Sequence, residues 1–428
     1  MRKFLCLVLL CPLLAALCGC SSSPTAAPEQ GAASRPVLRV VHYLDPDGQE
    51  PYDLYMYELF RRYTQQTGVE VEVVTRPWDQ LDETLVLSSQ SREPLGDLFI
   101  LSLQKLEYMV NSNALLPLDE YLDASFEREE FLTLALDAGT SAFDGRVYLM
   151  AQSLHTRGLW YNRQYVDQPP ETFAEVEALS KEIMEQHEGV YGVGFWGGSH
   201  YGAIEGTLCM LTWANGGQLS EADGRAAWST QAVADGIRMM HDWVRQDGIA
   251  PEICLTTADA TDVQEMFYNG ELAMIFDGSF AYSRNEFSFS DAEKFGFAPM
   301  PGVDGPSENF SNGWGWGIPV NSQQPELAWD FIAWFQAKGV QMEHAMTEGA
   351  LPTRVDALED PALAQHGYMP SFIPNLLEYG RPMDTFVYYS EAMDALTAVS
   401  NGFCLEPDID LEAALEEAQA LFNQKYYS

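Results

Sequence analysis

DGRVYLMAQSLHTRGLWYN, Asp144 to Asn162, is the stretch around which the rest of the chain can be arranged. Asp144-Gly145 is a turn dipeptide that opens into an apolar run, Val147 to Met150, with the character of a strand. A short interval of polar and small residues, Ala151 to Thr156, separates it from a second strand-like run, Gly158 to Tyr161. Two strands divided by a polar break read as one segment leaving a first lobe and entering a second. Gln152, Ser153, His155 and Thr156 then lie at the lobe junction, where a ligand can be gripped.

Upstream, Val37 to Leu44 is β-branched and alternating, hence a strand, and ends at the turn residues Asp45 to Gly48. Pro51 to Thr67 has helical apolar spacing with Gly68 as its stop. Val69 to Val74 reads as a strand, Trp78 to Ser89 as a helix, and Asp97 to Leu101 as a buried strand. This alternation is the βαβ pattern of a parallel sheet with helices on its faces. In such sheets ligands sit beyond the carboxyl ends of the strands, a rule that selects Tyr43 and Asp45 after the first strand and Ser102 and Gln104 after the third. Asn113 to Leu122 and Glu127 to Ala138 cap this lobe.

Downstream, Pro169 to Thr172 caps a helix to about Gln186, Val190 to Phe195 is a strand, and Trp196 to Tyr201 is a loop. Thr230 to Gln246 is a long amphipathic helix. Asp262 to Tyr268 is a shorter helix, followed by strands Leu272 to Phe276 and Phe295 to Ala298. Gly313-Trp314-Gly315-Trp316-Gly317 extends as a strand but packs poorly as core, and reads as a second crossing between lobes. A helix from Pro325 to Ala337 and the turn Leu351 to Arg354 belong to the first lobe. Met383 to Asn401 and Leu411 to Tyr427 read as two closing helices.

With 428 residues, 46% hydrophobic and 20% charged, the chain is a folded protein of two or three lobes. Its first residues form a separate unit. Arg2-Lys3 precedes an apolar run, Phe4 to Leu17, too short to remain as a membrane span. Leu17-Cys18-Gly19-Cys20 then looks like a bacterial lipobox with Cys20 as the lipidated residue. Residues 1–19 read as a lipoprotein signal peptide and 20–36 as a flexible tether. Cys209, Cys254 and Cys404 are widely spaced and without metal-ligating pattern, so buried thiols are expected and no metal or cofactor is. Loss of Arg2 and Lys3 leaves 21 basic against 63 acidic residues, a net charge near −42. Such a surface repels nucleic acid and anionic lipid, and suits an extracellular protein.

In order along nearly the whole chain, the sequence resembles the family 1 extracellular solute-binding proteins, the maltose-type receptors of bacterial ABC importers. The likeness rests on Asn113 to Asp119 (NALLPLD), Asp144 to Tyr148 with Gly158 to Asn162, and Pro169 to Phe173 (PPETF). It continues in Trp213 to Gly217 (WANGG), Phe267 to Met274 with Asp277-Gly278, and Gly313 to Gly315 with Ile318-Pro319 and Ala328 to Ile332. Ala151 and Arg146 depart from the family's Pro and Lys, and Ala151 suggests a locally different hinge. The resemblance implies an α/β, two-lobed periplasmic-binding-protein-like fold of type II, each lobe a sheet flanked by helices. It implies an N-terminal lobe of 37–150 plus 316–364 and a C-terminal lobe of 151–315 plus 365–428, joined by crossover hinges. It further implies a monomeric, lipid-anchored receptor outside the cell that closes on a carbohydrate and delivers it to membrane permease subunits.

Sugar binding needs apolar ring faces and short polar groups. By their places in the motifs, Trp314, Phe280 and Trp196 can stack, while Gln104, His155, Glu205, Asp277 and Arg354 can hydrogen-bond. Tyr43, Asp45, Gln152, His200, Tyr201 and Trp316 form a second rank. Trp160, Trp213, Trp329 and Trp334 sit on apolar faces and read as core, His187 reads as surface, and Trp78 fits either site or packing. Two rivals remain: a cationic ligand such as a polyamine, suited to acids and aromatics, and a lipid-anchored glycoside hydrolase with two carboxylates. No GxSxG, HExxH or phosphate loop supports an enzyme.

Overall fold

The computed structural model describes residues 35–257, 260–282, 293–311, 313–406 and 408–427. The expected signal peptide, Cys20 and most of the tether lie outside the described residues. Among those residues the strands in chain order are β1 (Val37–His42), β2 (Glu70–Thr75), β3 (Leu98–Ser102), β4 (Met150–Ala151), β5 (Arg157–Asn162) and β6 (Tyr191–Gly194), then β7 (Leu272–Gly278), β8 (Phe295–Ala298), β9 (Asn309–Phe310), β10 (Trp314–Gly317) and β11 (Gly380–Arg381). They build two main sheets, ordered β2-β1-β3-β10-β4 and β6-β7-β5-β8, with β9 and β11 as a separate pair.

In the first sheet, β1 runs parallel to β2 from Val37↔Glu70 to His42↔Thr75, and parallel to β3 at Val40↔Leu98. The connecting helix Pro51–Thr67 stops where Gly68 takes φ 78°, a left-handed value that only glycine adopts without strain. β10 enters antiparallel beside β3, with Trp314 opposite Ser102. Its alternating composition has a packing cause. A Cβ on Gly313, Gly315 or Gly317 would lie 2.2–2.8 Å from Ser153, Leu103 or Leu101, so that face admits no side chain. The tryptophans occupy the opposite face, since residues two apart in a strand point the same way.

The second sheet is centred on β5, antiparallel to both β7 and β8. Trp160 is fully buried between Phe297, Tyr368 and Phe372, and its indole N–H donates to the Gly278 carbonyl at 3.0 Å. β4 ends at Ala151 in the first sheet and β5 starts at Arg157 in the second, so Gln152 to Thr156 spans the two lobes.

Two expectations change in detail. The run Val147 to Met150 is a strand only at its end, because the amides of Tyr148 and Leu149 both turn to the Gly139 carbonyl. The closing helix begins at Tyr389 rather than Met383, since Asp384 is held by the Trp213 indole, the Leu219 amide and Arg381. Among the helices that the sequence reading lacks, the two long ones are Lys338–Glu348 and Met369–Tyr379. Cys209, Cys254 and Cys404 are buried and unpaired.

Candidate ligand-binding cleft

On the first-lobe wall, the residues after β1 and β3 and the end of β10 converge. Tyr43 stacks on Tyr52 with centroids 5.7 Å apart and meets the Trp314 ring at 4.9 Å; all three are partly exposed. Beside them Asp82 is fully buried. It accepts from the Ser102 amide at 3.1 Å and pairs with Lys105 Nζ at 3.4 Å. Burial pushes the Asp82 carboxyl up, opposed by Lys105 and Ser102.

On the second-lobe wall, the loop after β6 carries Trp196, stacked at 5.3 Å on His200, which is followed by Tyr201. Gly202 lies flat on the indole, where a Cβ would sit 2.2 Å from the ring. A π-helical turn, Ile204–Leu208, then brings Glu205 into the cleft. The Tyr389 hydroxyl donates to Glu205 Oε1 at 2.6 Å. Burial pushes the Glu205 carboxyl up, while Tyr389, Arg157, Lys105 and Gln104 pull it back.

The walls meet. Gln104 of the first lobe stands close enough to Glu205 of the second to help lower its carboxyl. Lys105 Nζ stands 5.9 Å from the Tyr201 ring, and Trp78 stands 6.3 Å from the same ring. Beneath them the Arg157 guanidinium lies between Phe280 and Phe310 at 5.3 and 5.6 Å. Asp277 is buried and accepts from Gln264 at 2.5 Å, lining a void of about 10 Å³ under Trp196 with Arg157. A larger cavity of about 140 Å³ shares Gln104 with the cleft but lies to one side, between Glu107, Thr140, Met383 and Phe386. The cleft is the better candidate, because it gathers aromatic faces and polar groups from both lobes.

Residues 46–342 match the family model described as bacterial extracellular solute-binding protein. The chain belongs to that family. The maltotriose-binding protein of Pyrococcus abyssi is 22% identical over 324 residues, 73% of this chain and 67% of that protein. A probable amino-acid ABC transporter periplasmic-binding protein of Sinorhizobium fredii is 23% identical over 72% of this chain and 71% of its own length. Among solved structures, maltose-bound T. maritima MalE3 superposes with a TM-score of 0.78 at 21% identity, covering 91% of this chain and 99% of that one. The two-lobed α/β architecture is that of the family, and its members are binding proteins, not enzymes.

Within this solute-binding protein, Tyr43, Gln104, Trp196, Tyr201, Glu205 and Trp314 line the cleft, with Phe280 and Asp277 behind its second wall. Others of the expected set are engaged elsewhere. Trp316 is fully buried against Phe331 and Phe335, because the helix Pro325–Phe335 covers that part of β10. Arg354 donates to Asp356 at 2.8 and 3.0 Å and to Glu130 at 2.8 Å, which spends its fork inside the first lobe. Asp45 is exposed and shapes its own turn by accepting from the Asp47 amide. Gln152 is buried, donating to Tyr52 at 3.4 Å. His155 is buried in the crossing between Ser279 and Glu348.

Sequence reasoning missed Tyr52, Asp82, Lys105, Arg157 and Tyr389. Lys105 and Arg157 stand next to residues it selected, and that adjacency was the available signal. Tyr389 gave none, being 184 residues from Glu205. Among the described residues no group of His, Cys, Asp and Glu is arranged for a metal ion, and no helix is long and apolar enough to cross a membrane.

Proposed function

We propose that this protein captures an uncharged carbohydrate of oligosaccharide size between its lobes and delivers it to the permease of an ABC importer. Cys20 anchors it by lipid to the outer face of the cell membrane, with residues 20–36 as tether and lobe boundaries near 150, 315 and 364. The observation that carries the ligand class is the charge balance of the cleft. The two carboxylates buried in its facing walls already have cations within the protein: Asp82 has Lys105, and Glu205 has Arg157 and Lys105. A polyamine would have to displace these partners. A neutral polyol meets aromatic faces at Tyr43, Trp196 and Trp314 and mixed donors and acceptors at Gln104, Tyr201 and Glu205. The maltotriose and maltose named for the similar proteins agree with this reading.

Calorimetry of the purified protein with maltotriose and with spermidine tests the proposal. Binding of maltotriose is expected, and Trp314→Ala should weaken it by about 1–3 kcal/mol through loss of a stacking face. Binding of spermidine without any sugar would overturn it. An unchanged dissociation constant in the variant would remove Trp314 from the site.

A further inference from the structure

Of the chain's ten tryptophans, Trp78 alone is exposed, at 49%; the other nine are buried or half-buried. It begins a three-residue turn, Trp78–Gln80, that comes after β2 and buries none of its residues. The turn closes on itself, with the Gln80 amide donating to the Pro77 carbonyl at 3.1 Å. Packing within the first lobe therefore gives no reason for so large a ring at this position. A lone exposed apolar side chain needs no explanation in itself. This one stands at the cleft.

On the second-lobe wall Trp196, His200 and Tyr201 form a row of rings, with centroids 5.3 and 4.1 Å apart. The Trp78 ring, on the first lobe, lies 6.3 Å from Tyr201 and is tilted 55° to it. It carries the row from the half-buried Trp196 to a fully exposed end. Asp79 and Gln80, exposed beside it, supply a carboxylate that accepts and an amide that both accepts and donates. Burial chiefly pushes the Tyr201 phenol up, and the charges of Glu205 and Asp79 add to this, so Asp79 faces the same stretch of the cleft. Lys105 Nζ already stands 5.9 Å from the centre of the Tyr201 ring, which disfavours a ligand cation between Tyr201 and Trp78.

We propose that Trp78, with Asp79 and Gln80, forms an outer subsite for one further ring of an oligosaccharide that runs from the inner cleft past Tyr201, and so makes the protein selective for chain length. The inference rests on the sugar reading above and adds to it the length of the ligand. A pyranose lays its C–H face on an indole and leaves its hydroxyls to polar neighbours. Trp314 and Trp196 offer such faces inside the cleft, and Trp78 offers one at its exit. A short sugar fills the inner faces and leaves Trp78 in water. A longer one covers it, so affinity rises at the chain length that first reaches Trp78.

Calorimetry of the purified protein with maltose, maltotriose, maltotetraose and maltohexaose reads that rise. Affinity should step up by about fivefold or more as the sugar lengthens, the scale of one stacked ring. Trp78→Ala should shrink the step to less than about twofold, and Trp78→Phe, which keeps a ring, should retain most of it. A series without a step, an undiminished step in Trp78→Ala, or a step lost equally in Trp78→Phe overturns the inference. So does a loss in Trp78→Ala that is the same for every sugar, since Trp78 would then act on the lobes through Tyr201 and not on the ligand. Absence of binding by every sugar overturns the sugar reading and this one with it, whereas the other failures leave that reading standing.

Discussion

Arg354 donates three hydrogen bonds of 2.8–3.0 Å to Asp356 and Glu130 and lies over the rings of Phe126 and Phe131. Its two carboxylate partners are partly solvent-exposed, which screens the pairing. Arg354→Ala should therefore cost about 1–2 kcal/mol of stability, from a forked ion pair and lost packing over the aromatics. Urea unfolding measures that loss. Because the guanidinium has no share in the cleft, maltotriose affinity should stay within about twofold, the scale of a 0.4 kcal/mol change. A large loss of affinity with stability intact would return Arg354 to the binding site. Trp314 and Trp316 make the companion case. They share one face of β10, yet the first ends beside Tyr43 at the cleft and the second disappears under the helix Pro325–Phe335. Strand periodicity gives the shared face but not the point along it where the cover ends.

The helix Lys338–Glu348 shows what a buried polar face does to legibility. Its buried residues include Gln341 and His344, so it lacks the apolar stripe that identifies a helix in sequence. Those polar groups brace the crossing. Gln341 donates to the Gln152 carbonyl at 3.1 Å and accepts from the Thr353 amide at 2.9 Å, while Gln336 donates to the Ala151 carbonyl at 2.8 Å. Gln341→Leu would leave a buried carbonyl and a buried amide without these partners, and should destabilise the protein by about 2–5 kcal/mol. Thermal unfolding followed by circular dichroism measures it; a loss below 1 kcal/mol would mean water replaces the glutamine. By contrast, β1 to β3 and their helices were readable because alternation, helical spacing and glycine stops are local signals. The Trp–Gly run was readable as a strand, but its composition reads as poor core and a crossing, whereas it lies inside the first sheet between β3 and β4 with Trp316 buried. Residues that join the two walls, such as Tyr389, depend on contacts no local pattern encodes.

At the scale of the whole molecule, the crossing is held at both of its ends. Asn309 accepts from the Thr156 hydroxyl and the Arg157 amide, both at 3.0 Å, and Asn375 donates to Thr156 and to the Arg157 carbonyl at 2.8 Å. These four bonds fix the end that enters the second lobe, while the Gln152 amide donates to the Trp314 carbonyl and Leu154 pairs with Leu351 in the first, so rotation of the lobes falls between them, at His155. Across the cleft, direct contact among the described residues is slight: ring contacts at Tyr201, with Gln104 beside Glu205. So few contacts give the closed arrangement little support by themselves, and a ligand touching both walls adds what they lack. Solution scattering should therefore show the radius of gyration fall when maltotriose saturates the protein. The same titration at about 0.05 and 0.5 M salt should give one dissociation constant, since a neutral ligand binding a charge-balanced cleft gains nothing from long-range fields that salt screens. A dissociation constant that rises steeply with salt would mean that the chain's net negative charge takes part in capture. An unchanged radius at saturation would mean that the lobes hold the ligand without moving about His155.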